Sequence, residues 1–275
     1  MVILIQCKDS IGLVAAIAQV ISESNSNIIA MREHVDMAAS RFFARIEIQE
    51  ATDTEALKNK LKNVLPSDAE ININPLPDKK VVVFVTKEYH CLSDILVRNY
   101  FKTLGASVEC VVGNHAVLED ICKRFDVPFH FVSHEGKTKA DFENELHEIV
   151  NRYQPDYLVL AKFMRILSAD FVEKYPFKII NIHHSFLPAF IGANPYKKAF
   201  DRGVKLIGAT AHFVTNDLDE GPIITQQTIP VDHSFTASDM VRSGKEIEKA
   251  VLAKALQYVF EDRVFTYENK TVVFE

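Results

Sequence analysis

Cysteine is scarce in this sequence. The chain of 275 residues has four cysteines, and no two of them have the C-x-x-C spacing. This scarcity argues against a disulfide framework or a structural zinc site and favours a reduced, cytoplasmic protein. The N-terminus lacks the pattern of a secretion signal, because Lys8 and Asp9 interrupt the first apolar run. No apolar run approaches the roughly 18 residues that are needed to span a bilayer, so we expect no membrane association.

Glycine-rich nucleotide-binding motifs are also missing. No G-x-G-x-x-G follows the apolar run Val81–Val85, and the chain has no P-loop. A dinucleotide cofactor and the use of nucleoside triphosphates are therefore not expected. The formal net charge of −6 argues against nucleic-acid binding, which requires a basic surface. We therefore expect that the protein uses no cofactor and binds no nucleic acid.

Residues 1–76 show strand and helix patterns in the order βαββαβ. Leu13, Ile17 and Val20 fall on one face of a predicted helix, and Arg41–Ile48 alternates as a strand does. This order predicts a ferredoxin-like α/β domain. The predicted elements are the strand Val2–Cys7, the helix Leu13–Glu23, the strands Asn27–His34 and Arg41–Ile48, the helix Thr54–Val64 with Thr52 or Thr54 as its N-cap, and the strand Ile71–Asn74.

This first region resembles the ACT domain, a small regulatory module that usually binds amino acids. Gly12 allows a tight turn into the first helix, whose free amide N–H groups can bind a carboxylate. The resemblance implies an effector site for an amino acid, with glycine and methionine as candidates. An equally supported alternative is that the domain only forms a homo-oligomer, because a βαββαβ sheet has a free edge. The residues that match the ACT pattern, and that would form the effector site, are Asp9, Gly12, Leu13, Asn27 and Ile28.

A proline-containing linker, Pro75–Lys80, leads into a second domain over residues 80–275. The continuous apolar run Val81–Val85 indicates a central parallel strand covered on both faces. Strands and helices then alternate, which predicts a doubly wound, mostly parallel, Rossmann-like sheet. The predicted helices are Leu92–Leu104, His115–Phe125, Lys139–Tyr153 and Ala237–Phe260, and the later strands are Ser107–Val112, Phe129–Val132, Tyr157–Leu160, Ile179–Ile182, Ile207–Val214, Ile223–Pro230, Val264–Tyr267 and Thr271–Phe274.

Three polar residues lie near the ends of two of these strands. Asn181 and His183 end one strand, and Asp219 lies in the acidic turn after another. Ligands bind at the carboxyl ends of strands in open α/β sheets, so we expect the three side chains to meet there. An amide donor, an imidazole and a carboxylate can together add a nucleophile to a carbonyl. Each residue alone is a weak signal, because a single Asn, His or acidic turn is more often structural.

Two segments around these residues resemble signatures of the formyltetrahydrofolate-using formyltransferases. Asn181–Pro188 is similar to the NIHPSLLP signature, and Leu218–Ile224 is similar to the second signature, which carries an essential Asp. The resemblance implies that Asn181, His183 and Asp219 are the catalytic residues. Leu160–Leu167 resembles the segment that lines the folate pocket in this family. The residues expected to bind the substrate are Met164, Arg165, Ile166, Leu167, His184 and Asp217, although Met164, Ile166 and Leu167 could instead be ordinary core residues.

Two departures from the transferase pattern predict that the acceptor is water. Transferases of glycinamide ribonucleotide carry a Gly-Ser-Asn-rich loop for the acceptor's phosphate, whereas Thr86–Leu92 has no glycine and Glu88 would repel phosphate. His184 replaces a proline and could order a water molecule. With these features the whole chain resembles the formyltetrahydrofolate deformylase family. The resemblance implies hydrolysis of 10-formyltetrahydrofolate to formate and tetrahydrofolate, which would supply formate for purine synthesis and balance the one-carbon folate pools.

The expected mechanism is attack of water on the formyl carbon. Asn181 and His183 would stabilise the oxyanion, and Asp219 would accept the proton of the water directly or through His183 or a second water. No metal is expected, because His183 and His184 are adjacent on an extended chain and cannot easily ligate one ion. Two alternatives stay open: a formyltransferase with another small acceptor, and a non-catalytic amino-acid sensor with a degenerate folate domain.

Overall fold

The computed structural model describes residues 1–49, 53–74, 78–188 and 195–275. The chain divides into two compact units: a first unit of Met1–Pro77 with Glu261–Phe265 and Val272–Glu275, and a second unit of Asp78–Phe260 with Thr266–Thr271. The predicted boundaries did not anticipate that two C-terminal segments group with the first unit. The predicted linker prolines, Pro75 and Pro77, lie outside the described residues. Within the described residues, no helix is long and apolar enough to cross a membrane.

The first unit has the predicted βαββαβ order, with a four-stranded antiparallel sheet in the order β2-β3-β1-β4. Leu13 and Ile17 of α1 pack with Leu57 and Leu61 of α2 in one buried apolar cluster over the sheet. The N-cap of α2 is Asp53, whose side chain accepts from the backbone N–H of Ala56, so the predicted cap Thr54 was wrong. The other candidate, Thr52, lies outside the described residues. The elements are β1 (Val2–Lys8), α1 (Leu13–Glu23), β2 (Ile28–Asp36), β3 (Arg41–Ile48), α2 (Thr54–Val64) and β4 (Glu70–Asn74).

The second unit is built on a seven-stranded sheet in the order β11-β10-β9-β8-β5-β6-β7. Strands β5 to β9 pair in parallel, whereas β10 and β11 are antiparallel. A mostly parallel sheet is what the alternation of strands and helices predicted. The elements are β5 (Lys79–Val85), α3 (His90–Tyr100), β6 (Ala106–Gly113), a 3₁₀ turn (Ala116–Leu118), α4 (Glu119–Arg124), β7 (Phe129–Phe131), α5 (Lys139–Tyr153), β8 (Tyr157–Leu160), α6 (Ala169–Val172), β9 (Ile179–His183), α7 (Pro195–Arg202), β10 (Leu206–Phe213), β11 (Ile223–Pro230) and α8 (Ala237–Phe260), and the strands β12 (Val264–Tyr267) and β13 (Lys270–Val273) end the chain.

The apolar run of β5 is buried as predicted, because Val81–Val85 is covered on both faces of the sheet. The single predicted helix His115–Phe125 is instead a 3₁₀ turn followed by the short α4. Helices α6 and α7 were not predicted, since each is too short to show a clear helical period. The long helix α8 has the predicted bounds. Helical spacing in the sequence predicts a core face of Val241, Ile247, Val251, Ala255 and Val259, but Val241 is exposed.

Candidate active site

Asn181 and His183 lie two residues apart on β9, so both side chains are on the same face of the sheet. The third predicted residue, Asp219, comes from the loop between β10 and β11. Its Oδ1 lies 3.1 Å from Nδ1 of His183, and both side chains are largely buried. The structure therefore brings together the three side chains that the sequence singled out.

The loop that carries Asp219 has to turn back to reach His183. Strand β10 is antiparallel to β9, with Phe213 opposite Ile180, so its carboxyl end lies beside the amino end of β9. The expected meeting at one shared carboxyl edge was therefore wrong for Asp219. A Cβ at Gly221 would lie 1.8 Å from the carbonyl oxygen of Phe213, so only glycine lets the returning chain approach β10 this closely.

In the pair of His183 and Asp219, the hydrogen-bond donor and acceptor can be assigned. The hydrogen bond from His183 is the main reason why the pKa of Asp219 is lowered, and it outweighs the opposing effect of burial. An ionised Asp219 accepts the proton on Nδ1 of His183, which leaves Nε2 as the other ring nitrogen. Nε2 is buried and has no protein partner among the described residues. It is therefore the atom of this pair that is available to a substrate or to water.

His212 holds the amide of Asn181. The Nδ1–H of His212 donates to the carbonyl oxygen of Phe213 at 2.9 Å, so its Nε2 accepts from Nδ2 of Asn181 at 3.1 Å. Burial lowers the pKa of His212, which keeps this ring neutral and able to accept. The second Nδ2 hydrogen of Asn181 remains for a ligand. This role of His212 was not predicted, because nothing in its sequence position shows which residue it would face.

The segment after β9 is tied to β10. The Oγ1 of Thr210 donates to the carbonyl oxygen of Ser185 at 2.9 Å and accepts from the N–H of Leu187 at 3.1 Å. These bonds fix the chain immediately after His184. The imidazole rings of His183 and His184 stack with their centroids 4.9 Å apart. His184 thus lies against the ring that contacts Asp219.

A cavity of about 640 Å³ opens beside these residues. The predicted substrate-binding segment forms one wall. Met164 and Ile166 are more than half exposed there and are therefore not core residues, whereas Leu167 is partly buried and packs against the apolar core of the second unit. The N–H of Met164 donates to Oγ1 of Thr86, and the N–H of Ser168 donates to the carboxylate of Glu143, so the segment is held at both ends. All six predicted substrate-binding residues line the cavity, namely Met164, Arg165, Ile166, Leu167, His184 and Asp217.

The other end of the cavity is polar and was not predicted as a site. Its key group, Glu248, lies on α8 and is 1 % exposed. A signal existed in the sequence, because Glu248 falls at helical spacing with Val251 and Ala255 of the predicted core face. A carboxylate in an apolar stripe must find partners inside the protein. The residues that line this polar end are Glu88, His90, Lys162, Tyr196, Lys245 and Glu248.

Within the described residues, one group has the composition of a metal site. Ligand atoms of His90, Cys91 and Glu248 lie within 4.8 Å of one another. The ammonium of Lys162 lies 3.1 Å from Oε2 of Glu248, so a cation already neutralises this carboxylate. A divalent ion beside Lys162 would be repelled, and this group therefore does not fit a metal.

The residues that match the ACT pattern lie at the start of α1 and of β2. Gly12 has a φ of 90° at the N-cap of α1, which is the left-handed conformation that favours glycine. Asp9, Gly12 and Asn27 are exposed and Ile28 is half-buried. Leu13 is buried in the apolar cluster of the first unit, so its side chain serves packing.

Comparison with known proteins gives consistent matches to enzymes that use formyltetrahydrofolate. Residues 79–256 match the family described as formyl transferase. A formyltetrahydrofolate deformylase from Haemophilus influenzae is 47% identical over 272 residues, covering 99% of this chain and 98% of that protein. The crystal structure of a formyltetrahydrofolate deformylase from Pseudomonas syringae is 38% identical, with a TM-score of 0.94 over 100% of this chain and 94% of that chain.

A transferase provides a useful contrast. The crystal structure of glycinamide ribonucleotide transformylase 1 from Symbiobacterium toebii is 28% identical with a TM-score of 0.68. The structural match covers 72% of this chain and 94% of the transformylase chain. The similarity to this transferase thus spans only part of the chain, whereas the similarity to the deformylases spans nearly all of it.

Proposed function

The chain belongs to the formyltetrahydrofolate deformylase family, and we propose that Asn181, His183 and Asp219 carry out the hydrolysis of 10-formyltetrahydrofolate to formate and tetrahydrofolate. The observation that carries this assignment of residues is the geometry of His183. Its Nδ1 is 3.1 Å from the Asp219 carboxylate, while its Nε2 has no protein partner among the described residues. An imidazole held in this way can take up and release a proton.

The proton of the attacking water goes to Nε2 of His183. Asp219 is a poor base because its pKa is lowered, so its role is to orient the ring and to stabilise the positive charge that forms on it. As the water oxygen bonds to the formyl carbon, the free Nδ2 hydrogen of Asn181 donates to the oxyanion. The C–N10 bond then breaks, and the proton on His183 passes to N10. Tetrahydrofolate leaves, and the formic acid that forms releases its remaining proton to solvent and leaves as formate.

The apolar wall of the cavity suits the pterin and aryl parts of the substrate. We assign this contact to Met164, Ile166 and Leu167, and the contact with the anionic end of a folate to the exposed Arg165. His184 and Asp217 complete the predicted binding set. The reaction needs no cofactor or metal in this proposal, because a water activated by an imidazole is a sufficient nucleophile for a formyl group on an aryl amine. We also retain a cytoplasmic location for the enzyme.

The test is to incubate the pure protein with 10-formyltetrahydrofolate without any added amine and to quantify formate and tetrahydrofolate. We expect equal amounts of both products, and a loss of product formation in Asp219→Asn. Product formation only after an amine is added would make the protein a transferase. No turnover under either condition would favour the amino-acid sensor.

For the first unit we propose the ACT role, in which an amino acid such as glycine or methionine binds near Gly12 and a homo-oligomer forms through the sheet edge. Its βαββαβ sheet, with the order β2-β3-β1-β4, supports this proposal. Calorimetric titration with glycine and with methionine, repeated on Gly12→Val, tests the effector. Light scattering tests the oligomer. If neither amino acid gives a heat of binding, formation of the homo-oligomer would remain as the role of this unit.

A further inference from the structure

Glu248 is the centre of a buried hydrogen-bonded network at the polar end of the cavity. Its Oε2 lies 2.8 Å from Nε2 of His90 and 3.1 Å from Nζ of Lys162, and its Oε1 accepts from the hydroxyl of Tyr196 at 2.7 Å. All four side chains are less than a tenth exposed. We call Glu248, His90, Lys162 and Tyr196 the acceptor wall.

The acceptor wall joins three segments that surround the cavity. His90 begins α3 just after β5, Lys162 follows β8 at the start of the substrate-binding segment, and Tyr196 lies on α7. Each segment reaches the same carboxylate on α8. Removal of that carboxylate would free the three segments together, so Glu248 controls the shape of this end of the cavity.

The acceptor wall contains three features that are unfavourable for the stability of the fold. Lys162 has a φ of 63°, a conformation that favours glycine over a side chain with a Cβ. Gly244 lies inside α8, where glycine is a poor helix former, and a Cβ there would lie 2.1 Å from the Tyr196 ring. Glu248 itself is a carboxylate held out of water. Such features persist where the surroundings or the function require them, and here all three converge on one group of side chains.

The acceptor wall also connects to the catalytic residues. The ring of Tyr196 lies near the ring of His184, with centroids 6.5 Å apart, and His184 stacks on His183. The proposed base therefore lies two ring contacts away from the hydroxyl that donates to Glu248. The neighbouring carboxylate of Glu88 is paired with Lys245 at 2.7 Å. The charges at this end of the cavity are thus matched within the protein.

We propose that the acceptor wall determines the nucleophile: it fills the polar end of the cavity and reserves attack on the formyl carbon for water. This inference rests on the proposed hydrolysis at His183 and Asp219. The side chains of Lys162, Glu248 and Tyr196 line this end of the cavity and bind one another, so they leave neither space nor an unpaired charge for an amine or an anionic acceptor. Because Glu248 is already neutralised by Lys162, it offers no free negative charge to attract an ammonium group. Water has neither charge nor bulk, so it remains the accepted nucleophile.

The competing reaction is formyl transfer to an amine. The amine nitrogen would bond to the formyl carbon as the C–N10 bond breaks, and the proton lost by the amine would end on N10. We use hydroxylamine as the probe, because it is small and largely uncharged at neutral pH and gives formohydroxamate, which is separable from formate. Each assay measures both products in parallel, with the reaction without enzyme subtracted.

The decisive variant is Lys162→Gly. Glycine suits the φ of 63° at this position, so the variant is expected to fold while the wall loses its cation. We expect hydrolysis to fall by about 10- to 100-fold, because the water is less well placed. We also expect formohydroxamate to become a major product, whereas the unaltered enzyme gives formate alone. Tyr196→Phe, which keeps the ring, should shift the ratio of products in the same direction by less.

The matched control is Lys102→Gly. Lys102 has a φ of 58° and is exposed, so this change relieves the same backbone strain at a position away from the cavity. It should leave both the rate and the ratio of products unchanged. If Lys162→Gly and Tyr196→Phe lower the rate without changing the ratio of hydroxamate to formate, the inference is wrong and the wall is only structural. If the unaltered enzyme makes no formate, the proposed function itself fails, and this outcome is distinct from the first.

Discussion

Two acid–histidine pairs lie in the same cavity, and they differ in what remains free. In the pair of Asp219 and His183, the distal ring nitrogen of the histidine has no partner among the described residues. In the pair of Glu248 and His90, the carboxylate also receives Lys162 and a tyrosine hydroxyl. The distal ring nitrogen of His90, Nδ1, also has no hydrogen-bond partner among the described residues, so the two pairs differ in the carboxylate: that of Glu248 is saturated, whereas that of Asp219 is bound mainly by His183. The number of groups bound to the carboxylate, rather than the type of residue, therefore separates the proposed catalytic pair from the positioning pair.

The pairs also differ in burial. Asp219 keeps 12 % of its side-chain surface, whereas Glu248 keeps 2 %. A carboxylate that is removed from water must be matched by cations and donors, and its loss leaves those groups unpaired. We therefore expect changes in the first pair to affect the rate and changes in the second pair to affect stability and the choice of nucleophile.

The largest effect is expected at the catalytic pair. His183→Asn should lower kcat by about 10²- to 10⁴-fold, because the proton acceptor is lost. If His183 and Asp219 act as one unit, the double variant His183→Asn with Asp219→Asn should be no slower than the slower single variant. Steady-state kinetics on the four proteins provides the measurement. Losses that multiply in the double variant would show instead that the two residues act independently.

The next effect concerns stability and its dependence on pH. Burial opposes ionisation of Glu248, but His90, Lys162 and Tyr196 outweigh it and lower the pKa of Glu248 from 4.5 to about 2. The unfolded chain then binds this proton more tightly than the folded protein, so the ionised group stabilises the fold above about pH 4.5, and this stabilisation disappears as the pH falls toward 2. We expect Glu248→Gln to lower the free energy of unfolding at pH 7 by about 3 kcal/mol.

Chemical denaturation between pH 7 and pH 2 checks this expectation, because the difference between the two proteins should shrink below pH 4.5. The matched control is Glu246→Gln on the same helix, where the carboxylate is mostly exposed and paired with Lys249. An exposed pair of this kind should change stability by less than about 1 kcal/mol. If the free energy of unfolding lost in Glu248→Gln does not depend on pH, the assigned charge state of Glu248 is wrong.

A smaller effect is expected from the residue that orients Asn181. His212→Phe removes the acceptor for the Asn181 amide and should lower kcat by about 10-fold, which corresponds to one lost hydrogen bond. KM should change less, because His212 acts through Asn181. His212→Gln offers an amide oxygen in place of Nε2 and should recover part of the rate. If kcat falls equally in His212→Phe and His212→Gln, His212 has only a packing role.

The smallest effect is expected at Gly244. A Gly-to-Ala change inside an ordinary helix stabilises it by about 1 kcal/mol. Here the new Cβ would meet the Tyr196 ring, so we expect a lower melting temperature for Gly244→Ala. Ser243→Ala on the same helix is the control and should not lower it. A stabilised Gly244→Ala would mean that Tyr196 moves away easily, which would weaken the comparison between the two pairs.

The sequence alone determined most of the elements and the family. Periodicity placed α1, β3, α2, α5, β8, β11 and α8 at their observed bounds, because each is long or strongly patterned. The signatures around Asn181 and Asp219 indicated the formyltransferases. The departures at Thr86–Leu92 and His184, with the ACT-like first region, indicated the deformylase family, and the comparisons confirmed it. These features are local, so neighbouring residues in the chain are sufficient to show them.

Only the tertiary structure decided how the site is assembled. The return of the Asp219 loop depends on the antiparallel direction of β10, which no local pattern records. The acceptor wall joins residues 158 positions apart, from His90 to Glu248. A helix-interior glycine and a carboxylate in an apolar stripe look unfavourable in the sequence, and the positive φ of Lys162 is unfavourable in the structure. Their role can be recognised only in the folded protein, where the three groups are in contact. Long-range contacts then compensate for the free energy that each of these features costs locally.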